Sequence, residues 1–316
     1  MKTKHVISIS DLTREEIGEI FSVTEDLKTK VKRGEKYTPL AGKTLAMIFS
    51  KPSTRTRVSF EVGIYQLGGL GLFLSGQEMQ LRRGETIGDT ARTLSRYVDG
   101  IMIRTFDHKD VEDLAKYGSV PVINGLTDLE HPCQALGDIF TVIEHKSAGK
   151  TMNDRMEGLK KLKMVYIGDG NNVANSLMLL CAKLSMNFTV IHPAGYEPDN
   201  AIKERAEELA RATGGKITLT GEMSAVSGAD VIYTDVWASM GKDAEKEERV
   251  KMFKPYQINA GVMKSVKRDC VVMHCLPAHR GEEITDEVID SANSIVFDEA
   301  ENRLHVQKAI MLLLMK

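Results

Sequence analysis

The chain of 316 residues is too long for one ordinary hydrophobic core and suits two domains of roughly 150 residues each. With 42 basic against 44 acidic residues its formal net charge is −2, which excludes a general field for nucleic acid or an anionic membrane. Any anion must therefore be met by a few placed side chains.

The opening "MKTKHVISISDLTREEIGEIF" has no long apolar core and turns acidic at once. An N-cap candidate at Asp11, ahead of Thr13, Arg14 and Glu15, predicts an amphipathic helix through about Lys28. The apolar run "KTLAMIFS" (43–50) reads as a buried strand leading into "KPSTRTR". Further strands are expected at "GGLGLFLS" (68–75), "GIMIRT" (100–105) and "VPVING" (120–125), separated by helical patterns such as "TIGDTARTLSRYV". A helix over "HPCQALGDIFTVIEH" is followed by the polar stretch 146–161, which reads as a linker. The pattern then restarts, with strands at "LKMVYIGDG", "NFTVIHP", "KITLTG", "DVIYTDVW" and "CVVMHCLP" alternating with helices "NNVANSLMLLCAKLS" and "NAIKERAEELARAT". Such alternation implies β-α-β crossovers. The expected fold class is α/β: two domains, each a parallel β-sheet flanked by helices, with a cleft between them.

No segment reaches the ~20 apolar residues of a membrane span. The start resembles neither a signal peptide nor a transit peptide, and the four cysteines (Cys133, Cys181, Cys270, Cys275) include no C-x-x-C pair. A cytoplasmic protein with reduced thiols and no structural metal is expected.

The stretch "FSKPSTRTRVSF" concentrates three hydroxyls (Ser53, Thr54, Thr56) and two guanidiniums (Arg55, Arg57) within five residues where a strand turns into a helix. Unpaired backbone N–H groups at a helix N-terminus favour anions, and the planar fork of arginine suits phosphate. A capped helix with a solvated basic turn is the plainer reading; the density of donors favours the anion site. Arg104 ends the strand "MIR", at the carboxyl edge where open α/β sheets bind ligands, although a lone arginine there also serves as an ion-pair or rim residue. In "HPCQ", His131 and Gln134 stand one helical turn apart and can aim hydrogen bonds at one carbonyl or amide; a mere helix cap is the alternative. "DVWASMG" (235–241) and "HCLPAHRGEEI" (274–284) put polar groups at two more strand ends, where ordinary loops are the alternative and Cys275 reads equally as a packed thiol.

"GDGNNVANS" (168–176) resembles a dinucleotide-binding turn. Gly168 and Gly170 fit, but Val173 replaces the third glycine, and His192 and Pro193 stand where the ribose-binding acid belongs. This argues against a nicotinamide-dependent oxidoreductase.

Taken in order, "STRTR", "MIRT", "HPCQ", "GDGNN", "DVWASMG" and "HCLP" resemble the aspartate/ornithine carbamoyltransferase family over essentially the whole chain, and the last three are similar to its ornithine branch. The resemblance implies a carbamoyl-phosphate-binding domain at 1–147, an ornithine-binding domain at 148–301, and a last helix at about 302–316 that packs back onto the first domain. It implies carbamoyl transfer from carbamoyl phosphate to L-ornithine, giving L-citrulline and phosphate, by a homotrimer or a multiple of trimers. Ser53, Thr54, Arg55 and Thr56 are expected to hold the phosphate, joined by Gln80 from a neighbouring subunit. Arg104 and His131 would reach the carbamoyl oxygen, Gln134 the carbamoyl amide, and Arg303 would face the carbamoyl group. Asn172, Asp235, Ser239 and Met240 match positions that hold the α-groups of ornithine, with Cys275 and Leu276 near its side-chain amine and the carbamoyl phosphate.

The chemistry accounts for these residue types. The amine must be neutral to attack, and attack builds negative charge on the carbonyl oxygen and the departing phosphate. Arg55, Arg104 and His131 would stabilise that charge, at ~3 kcal/mol for one donor in comparable oxyanion sites. Arg303 and Cys275 complete the expected catalytic set. Proximity supplies much of the rest, so no metal and no organic cofactor is expected. An aspartate enzyme should lack "SMG", and a putrescine enzyme has no use for a carboxylate clamp; N-acetylornithine stays open as a substrate. A non-enzymatic phosphate-binding module would leave the amino-acid clamp unexplained.

Overall fold

The structure, a computed structural model, describes residues 1–76, 79, 84–238 and 246–316. Within these the chain forms two compact units, residues 1–137 with 301–316, and residues 138–300.

The first unit carries, in chain order, α1 (Arg14–Lys32), β1 (Thr44–Phe49), α2 (Thr54–Gln66), β2 (Leu70–Ser75), α3 (Ile87–Leu94), β3 (Gly100–Arg104), α4 (His108–Tyr117) and β4 (Val122–Leu126). A capping box between Thr13 and Glu16 starts α1, two residues later than the Asp11 signal suggests. Asp11 instead closes a capping box with Ser8 over a short 3-10 turn. The four strands pair in parallel in the order β2-β1-β3-β4. β3 and β4 are buried along their whole length, as expected of largely apolar strands covered on both faces, and the buried polar side chains Arg104 and Asn124 belong to them. The edge strand β2 is half exposed.

Two helices contain the unit boundaries: α5 (Pro132–Lys146) and α12 (Val296–Met315). The second unit adds α6 (Met152–Gly158), β5 (Lys163–Ile167), α7 (Asn172–Lys183), β6 (Asn187–Ile191), α8 (Asn200–Thr213), β7 (Lys216–Thr220), β8 (Val231–Thr234), α9 (Lys246–Phe253), α10 (Ala260–Met263), β9 (Val271–His274) and α11 (Asp286–Ile289). Its five strands are parallel in the order β7-β6-β5-β8-β9. Together with the first sheet they give the α/β class expected of the chain.

The stretch 146–161 is not wholly linker. Thr151 and Asp154 form a capping box that nucleates α6, and a 3-10 turn follows at Leu159–Lys161. Met152, Met156 and Leu159 are buried, and they anchor a segment whose polar composition reads as loop.

Candidate active site

In the first unit, parallel pairing sets the strand ends side by side. Phe49 of β1 is level with Arg104 of β3, and Arg104 is level with Leu126 of β4. The chain therefore leaves β1, β3 and β4 at one edge, and there it presents "STRTR", Arg104 and "HPCQ". Ser53 is the N-cap of α2, and its hydroxyl accepts from the Thr56 N–H at 3.2 Å. No acidic residue occupies the first turn of that helix, so its positive end is not internally neutralised. Thr54 is exposed and Arg55 half-buried at that end.

Thr56 is fully buried, and its Oγ1 accepts from Arg303 Nη2 at 2.9 Å. Arg303 thus belongs beside the α2 turn, within the unit that contains residues 301–316. Arg104, His131, Gln134 and Arg303 are all at most 5% exposed. Burial lowers the His131 pKa well below the usual value, and the nearby Arg303 and Arg104 guanidiniums lower it further. His131 is accordingly a neutral imidazole among cations, fit to hydrogen-bond a carbonyl without adding charge. Ahead of these donors Lys51, 5% exposed, pairs with Asp128 and lies 4.2 Å over the Phe106 ring.

In the second unit, the turn after β5 is shaped by two glycines. Gly168 has φ +148°, and a Cβ on Gly170 would stand 2.1 Å from the backbone nitrogen of Pro198. Gly168 therefore serves the positive φ of the turn, and Gly170 a close chain crossing that any larger residue would obstruct. Asn171 caps α7, accepting from the N–H groups of Val173 and Ala174 at 2.9 and 3.2 Å. Its Nδ2 donates to Asp235 Oδ2 at 2.7 Å, and the Cys275 thiol donates to Asp235 Oδ1 at 2.9 Å. Burial, then the Asp235 carboxylate, push the Cys275 thiol well above its ordinary pKa. The thiol is a proton donor in this arrangement and not a thiolate nucleophile. Asn172 follows at the first turn of α7, half-buried. Leu276 has φ +56°, and its N–H donates to His274 Nδ1 at 2.9 Å.

The structure thus gathers Ser53, Thr54, Arg55, Thr56, Arg104, His131, Gln134 and Arg303 within one unit, and Asn172, Asp235, Cys275 and Leu276 within the other. Gln80, Ser239 and Met240 lie outside the described residues.

Several supporting residues carry no motif. Asn171, which the sequence reading did not single out, caps α7 and is also the group that holds Asp235. Arg249, from α9, donates to Asp169 Oδ2 at 2.8 Å and to the Trp237 carbonyl at 2.9 Å. Glu299 accepts from Tyr233 Oη at 3.1 Å and from the His274 N–H at 3.0 Å. Neither Arg249 nor Glu299 neighbours its partners in sequence, so only the fold reveals them.

Two family models divide the chain between them. The carbamoyl-P binding domain of aspartate/ornithine carbamoyltransferase matches residues 4–144, and the Asp/Orn binding domain matches residues 160–314. The chain belongs to the aspartate/ornithine carbamoyltransferase family. An ornithine carbamoyltransferase of Thermococcus kodakarensis is 60% identical over 99% of this chain and 96% of its own length. The anabolic ornithine carbamoyltransferase of Pyrococcus furiosus is 56% identical over 99% of the chain and 96% of its own length. Among solved structures, an ornithine carbamoyltransferase from Pyrococcus furiosus superposes with a TM-score of 0.92, covering 99% of this chain and 97% of that one at 56% identity. An anabolic enzyme from Campylobacter jejuni gives 0.90 at 39% identity, covering 98% of each chain. Family membership joins the two donor clusters to one reaction class, and the two matched domains carry one cluster each.

Proposed function

We propose that the protein transfers the carbamoyl group of carbamoyl phosphate to the side-chain amine of L-ornithine, giving L-citrulline and phosphate. The observation that carries this reading is the cluster of buried cationic and neutral donors at one sheet edge, with Arg303 bonded to Thr56 at the start of α2. Ser53, Thr54, Arg55 and Thr56 hold the phosphate. Arg104 and His131 polarise the carbamoyl oxygen, Gln134 binds the carbamoyl amide, and Arg303 steadies both the turn and the carbamoyl group. Gln80 of a neighbouring subunit completes the phosphate site.

In the second unit Asn172 and Asp235, with Ser239 and Met240, hold the α-groups of ornithine. Cys275 and Leu276 meet the reacting groups, the thiol as a hydrogen-bond donor. Attack by the neutral amine builds charge on the carbonyl oxygen and the phosphate, which the first cluster stabilises. The reaction serves arginine biosynthesis, in keeping with the anabolic relatives.

The protein works as a homotrimer or a multiple of trimers. Supporting this, Val58, Val62 and Tyr65 line one exposed face of α2, and Leu70, Leu72 and Phe73 are exposed on the edge strand β2. An apolar patch of this kind marks an interface. No described helix is long and apolar enough to cross a membrane, and we place the protein in the cytoplasm.

The test is to supply carbamoyl phosphate with ornithine, aspartate, putrescine or N-acetylornithine in separate reactions, and to measure carbamoylated product and released phosphate. Citrulline from ornithine alone is the expected result. Product with another amine instead would overturn the assignment of the second unit.

A further inference from the structure

The turn after β9 carries a second constellation, which carbamoyl transfer does not use. His279, Glu282 and Glu283 each present one ligating atom, and these atoms lie within 4.8 Å of one another. His279 Nδ1 is 3.5 Å from Glu282 Oε2. Two ligands of a tetrahedral ion, each ~2.1 Å from the metal, stand about 3.4 Å apart. The pair already has the separation of one edge of such a site.

Two polar atoms without a hydrogen-bond partner belong to this cluster, His279 Nδ1 and Glu283 Oε2, and both are shielded from water. Glu283 is fully buried; its Oε1 accepts from His274 Nε2 at 3.0 Å and from the His279 N–H, which leaves Oε2 over. A buried acceptor without a donor is unfavourable, and a cation at that oxygen would remove the penalty. The turn itself is tightly held. The Glu282 N–H donates to the His279 carbonyl and the Gly281 N–H to the Ile284 carbonyl, both at 2.8 Å, while Gly281 supplies φ +85°. Arg280, the nearest cation in sequence, is held by Asp286 and Asp290. The side chains of His279 and Glu282 are 38% and 30% exposed, so an ion can arrive from solvent.

We propose that His279, Glu282 and Glu283 form a binding site for a divalent transition-metal ion that accepts imidazole and carboxylate ligands together, as zinc does. The cysteine spacing that argues against a structural zinc does not bear on it, because the site uses no cysteine. Its position gives it a route to the catalytic segment. Glu283 accepts from His274, and His274 accepts from the Leu276 N–H, so an ion on Glu283 braces the backbone beside Cys275.

A rival cluster, Asp235, His274 and Cys275, could also take a soft metal, and the test must separate the two. Metal-stripped full-length protein is titrated with Zn2+ by calorimetry and with Co2+ by absorption. Saturable binding is expected to survive in C275S, with no thiolate-to-cobalt charge-transfer band, and to weaken at least about tenfold in both H279A and E282Q. Thermal melts of the metal-free variants guard against misfolding, and E282Q, which changes no volume, stands in if H279A fails to fold. Absence of saturable binding overturns the proposal, as does binding that disappears in C275S and is unchanged in E282Q.

Discussion

The Cys275 thiol donates to the Asp235 carboxylate across 2.9 Å, while Asn171 donates to the other oxygen of the same carboxylate. Asp235 is thereby fixed at the carboxyl end of β8, and the thiol is fixed in its protonated form, because burial and the facing carboxylate both disfavour a thiolate. Iodoacetamide at pH 8 is expected to alkylate Cys275 at least about tenfold more slowly than an ordinary exposed thiol of pKa ~8.5. Peptide mapping of the alkylated protein measures this directly. Rapid modification at Cys275 would mean that the thiolate forms readily and that the hydrogen bond runs otherwise.

His131 gives a pH prediction of the same sign as a carboxylate with a depressed pKa, although its cause is burial among cations. Its folded-state pKa lies well below the usual ~6.5, so below that pH the unfolded chain binds the proton and the folded chain resists it. Stability therefore falls as pH drops below about 6.5, and the loss continues down to the depressed folded value. His305, 1% exposed, adds to the same slope, since burial lowers its pKa to about 4. The shift from ~6.5 to about 4 corresponds to up to about 3 kcal/mol at the acid end of that window. Denaturant midpoints between pH 7 and 4 should fall less steeply in H131N or H305Q than in the parent. Parallel slopes would contradict the depressed values.

Glu299 distinguishes a neutral buried acid from a charged one. Burial, then the charge of Asp138, raise its pKa well above normal, so it is a protonated carboxyl that accepts from Tyr233 and from the His274 N–H. Glu299→Gln keeps shape and neutrality and is expected to cost less than about 1 kcal/mol. Glu299→Ala strands a buried N–H and opens a void, and is expected to cost about 3 kcal/mol. Equal losses in the two variants, read from urea midpoints, would show that charge and not shape was being held.

Much of this architecture was legible beforehand, for reasons visible in single elements. β3 is apolar up to Arg104 and β4 carries a single polar side chain, Asn124; strands so largely apolar are buried readily in a covered parallel sheet. The helix start at "STRTR" was legible because the Ser53 side chain accepts from an N–H group that has no partner inside the helix. The stretch 146–161 escaped because its polarity masks a short capped helix anchored by only three buried side chains. Arg249 and Glu299 escaped for a different reason. Each is bonded to groups at least 12 residues away in sequence, and no local pattern encodes such a pairing.

The exposed apolar face of α2 and β2 makes the assembly itself testable. Val58→Glu together with Val62→Glu places two charges where we propose subunits meet, while both side chains point away from the buried core. Sedimentation should report smaller particles than for the parent, and turnover should fall with them if a neighbouring subunit supplies Gln80. Unchanged sedimentation would move the interface elsewhere.

The split composition of the first unit has a consequence for synthesis on the ribosome. Its last piece, residues 301–316, carries the Asn302 that accepts from buried Lys28 and the Arg303 that bonds Thr56. About 160 residues separate that piece from the rest of the unit, and at ordinary elongation speeds they take about ten to thirty seconds to make. During that interval the nascent chain exposes the surface that α12 will cover, and the second unit has time to fold first. A domain that begins earliest is thus completed last, and the turn at the start of α2 waits for its Arg303 bond until α12 leaves the exit tunnel.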